Sequence, residues 1–184
     1  GDAKQLTTLE EGAISAPAWS PDGRNIAFLY RKKEAGYRQQ DIDARKNSGD
    51  SDPPRVISRL GYREEGYGYT GGEWTHLYCV DVPSGRVTQI TNGPHSCSSP
   101  VWSPDGSRIA FVTNRSEDAV LKPYDQEIYI VTLADGAEAK LNTPRGPKAS
   151  PAWSPDGQLI AYFGHTKPEE IWSLTQRHVW CISV

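Results

Sequence analysis

The sequence predicts an all-β chain: an incomplete β-propeller of three four-stranded blades, the third truncated. Three observations carry this. An eight-residue segment ending in Trp-Ser-Pro-Asp-Gly occurs three times, and a short apolar run follows each copy. Further strand-like runs recur at a fixed spacing of 51 residues. Gly (17) and Pro (14) punctuate these runs, while six Trp and nine Tyr supply the aromatic residues that favour strands. Several short strands at a period of this size, separated by turn signals, are the signature of propeller blades.

The first element of each repeat is the stretch before the turn. Ala16-Pro17-Ala18-Trp19-Ser20-Pro21-Asp22-Gly23 recurs as Ser99-Pro100-Val101-Trp102-Ser103-Pro104-Asp105-Gly106. It recurs again as Ser150-Pro151-Ala152-Trp153-Ser154-Pro155-Asp156-Gly157. Ser-Pro-Asp-Gly reads as a tight hairpin: proline presets φ at the first central position, Asp suits the next, and Gly takes the left-handed position after it. One Asp per turn is too few for a calcium loop, which needs several acidic oxygens close together. The tryptophan ends the inner strand, placed to pack between neighbouring blades.

The second element is Ile26-Ala27-Phe28, Ile109-Ala110-Phe111 and Ile160-Ala161-Tyr162. The third begins at Leu77, Ile128 and Val179, and the fourth is Val87-Thr88-Gln89-Ile90 and Ala139-Lys140-Leu141, with Ala3-Lys4-Gln5-Leu6 matching it at the start. Trp102 and Trp153 are 51 residues apart, but Trp19 and Trp102 are 83 apart. The excess lies between the second and third strands, so the first repeat carries a 32-residue insertion, within about 31–74. The predicted organisation is the last strand of a preceding blade and a linker (1–15), a blade with the insertion (16–98), a second blade (99–149), and a third blade (150–184) cut before its fourth strand. An isolated chain of this kind is expected to be poorly soluble, because its last blade presents an unpaired strand edge.

Composition narrows the function. A net charge of −3 gives no bulk attraction to nucleic acid or anionic membrane. No apolar run approaches the length of a membrane span, and Gly1 to Glu11 is too polar for a signal peptide. Cys79, Cys97 and Cys181 form neither a disulfide framework nor a zinc motif. Cys79 and Cys181 fall in apolar strand patterns and are expected to be small buried hydrophobes, which favours a reducing, cytoplasmic setting. His76, His95, His165 and His178 have no catalytic context and are expected at the surface or at strand edges. The stretch from Arg31 to Asp52 mixes charges and is expected to be a solvated loop. The connections Ser116 to Asp125 and His165 to Gln176 occupy the same blade position as the insertion, and all three are expected to rim one face.

The Trp-Ser-Pro-Asp-Gly-x-x-Ile-Ala-Phe pattern resembles the TolB-like or PD40 repeat, a WD40-like propeller repeat. That repeat is found in TolB and its relatives and in the N-terminal propeller of prolyl-oligopeptidase-type (S9) serine peptidases. Pro54-Arg55-Val56-Ile57-Ser58-Arg59-Leu60-Gly61-Tyr62-Arg63-Glu64-Glu65-Gly66-Tyr67-Gly68-Tyr69 is similar to a segment of acylaminoacyl-peptidase-like S9 enzymes. The resemblance implies a non-catalytic propeller portion that gates and positions short peptides for hydrolysis by an α/β-hydrolase domain. The alternative it implies is a TolB-like scaffold for protein–protein interaction. The chain has no Gly-x-Ser-x-Gly elbow, so no catalytic residue is assigned. No cofactor and no metal site are expected. The expected partners are a peptide substrate, further blades and the hydrolase domain, with no nucleic acid and no membrane.

Within the insertion, Arg59, Tyr62 and Arg63 are the candidate substrate-binding residues. A guanidinium grips a carboxylate through two parallel hydrogen bonds, and tyrosines line a groove while hydrogen-bonding at the tip. The other reading of the same residues is structural, with the arginines paired to Glu64, Glu65 and nearby Asp residues.

Overall fold

The computed structural model describes residues 2–54, 56–57, 62–64, 68–69, 72–170 and 175–184. Thirteen strands and one helix follow in chain order. They are β1 (Gly12–Trp19), β2 (Asn25–Lys32), α1 (Gln39–Ser48), β3 (Arg63–Glu64), β4 (Gly68–Tyr69), β5 (Thr75–Asp81), β6 (Val87–Gln89), β7 (Cys97–Trp102), β8 (Arg108–Thr113), β9 (Glu127–Thr132), β10 (Glu138–Lys140), β11 (Lys148–Trp153), β12 (Leu159–Gly164) and β13 (His178–Ser183). Eleven of the strands form three antiparallel sheets: β1-β2-β5-β6, β7-β8-β9-β10 and β11-β12-β13. This is a partial propeller, and among the described residues β3 pairs only with β4.

The Ser-Pro-Asp-Gly turns are built alike in all three sheets. Gly106 N–H donates to Ser103 O at 2.9 Å, and Gly106 has φ +70°. The Asp105 carboxylate accepts from the Ser103 hydroxyl at 2.6 Å and from Ser107 N–H at 3.0 Å, while Ser103 Oγ accepts from Arg108 N–H at 2.9 Å. Asp22 and Asp156 repeat these contacts with Ser20 and Ser154. The hydrogen bond from Ser103, then those from Ser107, hold the Asp105 carboxyl down to about 2, and Asp22 and Asp156 shift the same way. A carboxyl whose folded pKa lies below its unfolded value contributes stability above the unfolded value and loses it as pH falls through the folded one. Denaturant melts should therefore show stability declining from about pH 4 to pH 2, and Asp105→Asn should flatten that decline.

Every inner strand carries a bulge. Register shifts fall between Ser15 and Ala18, Ser98 and Val101, and Ala149 and Ala152. The residue before each proline, Ala16, Ser99 or Ser150, has φ of 50°. Non-glycine residues rarely adopt such a φ, so three copies at one repeat position mark a built-in bend of the strand.

The tryptophans stitch the sheets together. Trp102 Nε1 donates to Ala18 O at 2.9 Å, and Trp153 Nε1 donates to Val101 O at 3.2 Å. Each ring reaches from its own inner strand to the carbonyl that precedes the tryptophan of the blade before it. One apolar cluster joins Ala27, Leu29 and Leu77 to Cys97, Trp102, Ile109 and Phe111 across the first seam. A second joins Ala110, Val112, Ile128 and Ile130 to Ile160 and Tyr162 across the next.

Several expectations change here. Residues 2–10, expected to begin with an outer strand, carry no regular structure; Leu9 packs beside Phe28 and Tyr30, and Tyr30 Oη donates to Glu10 O. The expected solvated loop contains helix α1. Half of its residues (Gln39, Gln40, Ala44, Arg45 and Lys46) are good helix formers, Asp41 sits in the first turn, Arg45 and Lys46 in the last, and Gly49 closes it with φ +78°. It buries no residue, so it lacks the apolar stripe by which helices are read. Cys181 is exposed, Cys79 half-buried, and Cys97 is the buried cysteine. Cys181 stands on β13, the last strand of its sheet, with no layer packed over its side chain.

Candidate functional site

Between the first two sheets lies a cleft of about 930 Å³. The strands set its floor. Ala13 and Ser15 come from β1, and Cys97 and Ser98 from β7. Its rim is built by the connections between second and third strands: Arg31, Glu73, Trp74 and Thr75 on one side, and Asn114 to Glu117 with Val120 and Pro123 on the other. In each blade these connections leave the sheet at the same end, so they gather on one face of the array.

Hydrogen bonds hold the lining in place. Ser96 Oγ accepts from Thr75 N–H at 3.1 Å and ties the two sides together. Thr113 Oγ1 donates to Ser96 O at 2.9 Å. Asn114 accepts from the hydroxyl and the N–H of Ser116 and donates to Lys122 O at 2.7 Å, which shapes the loop. Arg115 lies over the Tyr129 ring at 4.1 Å and pairs with Glu138 at 2.5 Å. Arg31 faces Glu73 at 4.0 Å, with both side chains largely buried.

His95 lines the cleft and meets His76 beside it. The His76 and His95 rings are 6.5 Å apart, edge to face. Burial lowers the pKa of both, and Arg115 lowers that of His95 further. Both are therefore neutral at neutral pH. Among the described residues, His76 Nδ1 and His95 Nε2 have no hydrogen-bond partner. His165 is buried at the end of β12, and Lys148 is buried at the start of β11. The Lys148 ammonium donates to Gln126 O and Gly146 O, and burial lowers its pKa to about 8. Thus three of the four histidines expected at the surface or at strand edges lie partly or wholly inside.

This arrangement suits binding. It offers hydroxyl, amide and guanidinium groups beside the apolar surfaces of Trp74, Val120 and Pro123, a mixture of apolar wall and convergent polar groups such as binding clefts present. Among the described residues no group of three or more His, Cys, Asp or Glu is placed to hold a metal. No helix among them is long and apolar enough to cross a membrane.

Of the candidates read from the insertion, Arg59 lies outside the described residues. Tyr62 and Arg63 sit at the β3–β4 hairpin, both exposed. Tyr62 stacks with Tyr69 at 6.3 Å between centroids, and the Arg63 guanidinium lies 5.7 Å from the Tyr69 centroid. The hairpin thus gathers an Arg-Tyr-Tyr cluster, and the described lining of the cleft is drawn from other residues. Trp74, Arg115 and the His76–His95 pair escaped the sequence reading. For Trp74, His76 and Arg115 the signal was available in the alignment of the repeats, since they border the second-to-third-strand connections; His95 lies in the connection from β6 to β7.

Three sheets joined by inner-strand tryptophans, with the loops of one face around a cleft, define a segment of a β-propeller built from a single repeat. The profile of the TolB β-propeller domain, PD40, matches residues 67–168, more than half of the chain, and the chain belongs to that family. It is similar to the uncharacterized peptidase YuxL of Bacillus subtilis, 35% identical over 133 residues, which are 71% of this chain and 19% of that protein. It is also similar to the Tol-Pal system protein TolB of Alcanivorax borkumensis, 38% identical over 85 residues, 46% of this chain and 18% of that one. Among solved structures it superposes on an acylaminoacyl peptidase of Pyrococcus horikoshii with a TM-score of 0.61 and 19% identity, over 92% of this chain and 24% of that chain. That likeness concerns the fold. The chain spans about a fifth of the length of these two curated relatives.

Proposed function

We propose that this chain is the non-catalytic propeller portion of an S9-type serine peptidase, gating and positioning short peptides for an α/β-hydrolase domain. The observation that carries this reading is the cleft whose rim is formed by the end of the insertion and by the loop from Asn114 to Pro123. The identity with a peptidase over 71% of the chain supports it. In this reading Arg59, Tyr62 and Arg63 contact the substrate, with the two arginines holding a carboxylate or a backbone carbonyl. In the parent enzyme, Arg59→Ala and Arg63→Ala should each raise KM for short peptides by roughly tenfold or more, the effect of losing a charge-assisted hydrogen bond. kcat should change little. Unchanged peptide kinetics in both variants would remove these residues from the substrate path.

A second reading, a TolB-like interaction scaffold, is favoured by the PD40 match and by the TolB relative. The two separate on short-peptide binding. Titration of the chain with N-blocked tri- and tetrapeptides should shift NMR signals of Trp74, Asn114 and Ser116 in the peptidase reading and leave them unmoved in the scaffold reading.

A further inference from the structure

The two seams between blades compare residue for residue, because their corresponding positions lie 51 apart in the chain. In the second seam Lys148 fills the space at the head of β11. Its ammonium donates to Gln126 O at 2.5 Å and to Gly146 O at 2.9 Å, and the residue is buried. Gln126 Oε1 accepts in turn from Lys148 N–H at 3.0 Å. The Asp125 and Glu127 carboxylates favour the positive charge held there.

In the first seam Cys97, Thr75 and His95 hold the positions of Lys148, Gln126 and Gly146, and all three line the cleft. The same chain segments meet in both seams. Thr75 N–H donates to Ser96 Oγ at 3.1 Å, where Gln126 N–H donates to Gly146 O at 3.3 Å. The side chain is what differs. The Cys97 thiol is short, lies 3.4 Å from Thr91 Oγ1 and supplies no ammonium. Trp74, also in the lining, stands at the position of Asp125. The two arginines of the lining are neutralised, Arg31 by Glu73 and Arg115 by Glu138. Glu117 lines the cleft with no ion pair among the described residues.

We infer that the cleft takes a primary ammonium on an aliphatic stem, the lysine side chain of a bound peptide, at the Thr75 and His95 carbonyls, the place that the Lys148 ammonium takes in the second seam. An ammonium carries three N–H donors and no acceptor, so backbone carbonyls suit it. The Trp74 ring adds an aromatic face, which attracts a cation. The Glu117 carboxylate gives the cleft a negative charge that its paired arginines do not cancel. That the ammonium arrives on a peptide rests on the peptidase reading above; the ammonium site itself does not.

The test is NMR titration of the 184-residue chain with n-butylammonium chloride, which is the lysine side chain without its backbone. The amide signals of Thr75, Ser96 and Cys97 should shift saturably, and n-butanol, which keeps the stem without the charge, should move them far less. Trp74→Ala should weaken binding about fivefold, the loss of one cation–π contact. Glu117→Gln should weaken it about twofold to fivefold, as for an exposed charge pair. Cys97→Lys should seat its own ammonium in the site and abolish the shifts, while Cys97→Ser should keep them. Circular dichroism checks that both fold, and if Cys97→Lys does not, the Trp74 and Glu117 variants carry the test. N-acetyl-Ala-Lys-Ala-amide should bind at least about fivefold more tightly than its norleucine analogue, the gain of one charged contact. Preferred binding of Ala-Ala-Ala-amide keeps the site and assigns its ammonium to a peptide's amino terminus. Binding of butylammonium but of no peptide keeps the site and tells against the peptidase reading. Equal binding of the lysine and norleucine peptides overturns the inference and leaves that reading standing. Shifts that n-butanol reproduces, or that a folded Cys97→Lys leaves unchanged, overturn the inference as well.

Discussion

Trp102→Ala should destabilise the chain by about 3–5 kcal/mol, the range for deleting a large buried aromatic. The ring is almost completely buried in the seam between the first two sheets, and its indole nitrogen donates to Ala18 O. Truncation removes apolar contacts with both sheets and leaves that carbonyl without its donor, a loss that adds to the cavity. Trp153→Ala should cost less, about 2 kcal/mol, because Trp153 is only half-buried and its hydrogen bond is longer. Guanidinium melts followed by tryptophan fluorescence provide the measurement. Repeat arrays are stabilised by nearest-neighbour interfaces, so loss of the Trp102 seam should also separate unfolding of the first sheet from that of the second. A single transition with Trp102→Ala within about 1 kcal/mol of wild type would show that the seam is held by other contacts.

The second large effect is expected for Phe111→Ala, again about 3–5 kcal/mol. Phe111 is fully buried in the second sheet and stacks on Tyr129 with centroids 6.2 Å apart. The Arg115 guanidinium lies 5.8 Å from the Phe111 ring and 4.1 Å from the Tyr129 ring. Phe111 therefore supports the platform on which a cleft residue rests. Phe111→Ala should lower stability and also broaden the NMR signal of the Arg115 guanidinium. Phe111→Leu, which keeps more of the volume, should cost under about 1.5 kcal/mol and leave that signal sharp. Equal costs for the two substitutions would mean that the site does not depend on the ring's shape.

The blade architecture was legible because its signals are local and repeated. Ser-Pro-Asp-Gly specifies a turn through three backbone preferences within four residues, and three copies on one spacing leave little room for another fold. The bulges at Ala16, Ser99 and Ser150 were not legible, since neither alanine nor serine before proline announces a left-handed φ. Helix α1 was missed for a related reason: with nothing buried it has no apolar period to read. Cys181 was misjudged because strand alternation tells which residues share a face, not whether anything lies over that face.

The candidate site divides the same way. That the insertion and the loop from Ser116 to Asp125 belong to one face followed from their common place in the repeat. That Trp74, His95 and Arg115 meet around one cleft did not, because they come from different blades and are joined only by the docking of β7 on the first sheet. The Arg-Tyr cluster prominent in the sequence gathers at a separate hairpin, with Arg63 over Tyr69. By itself the sequence determined the strands, the turns and the repeat, all set by interactions between residues close along the chain. Tertiary structure alone decided which of three equivalent tryptophans is buried, since burial depends on whether a neighbouring blade covers the strand.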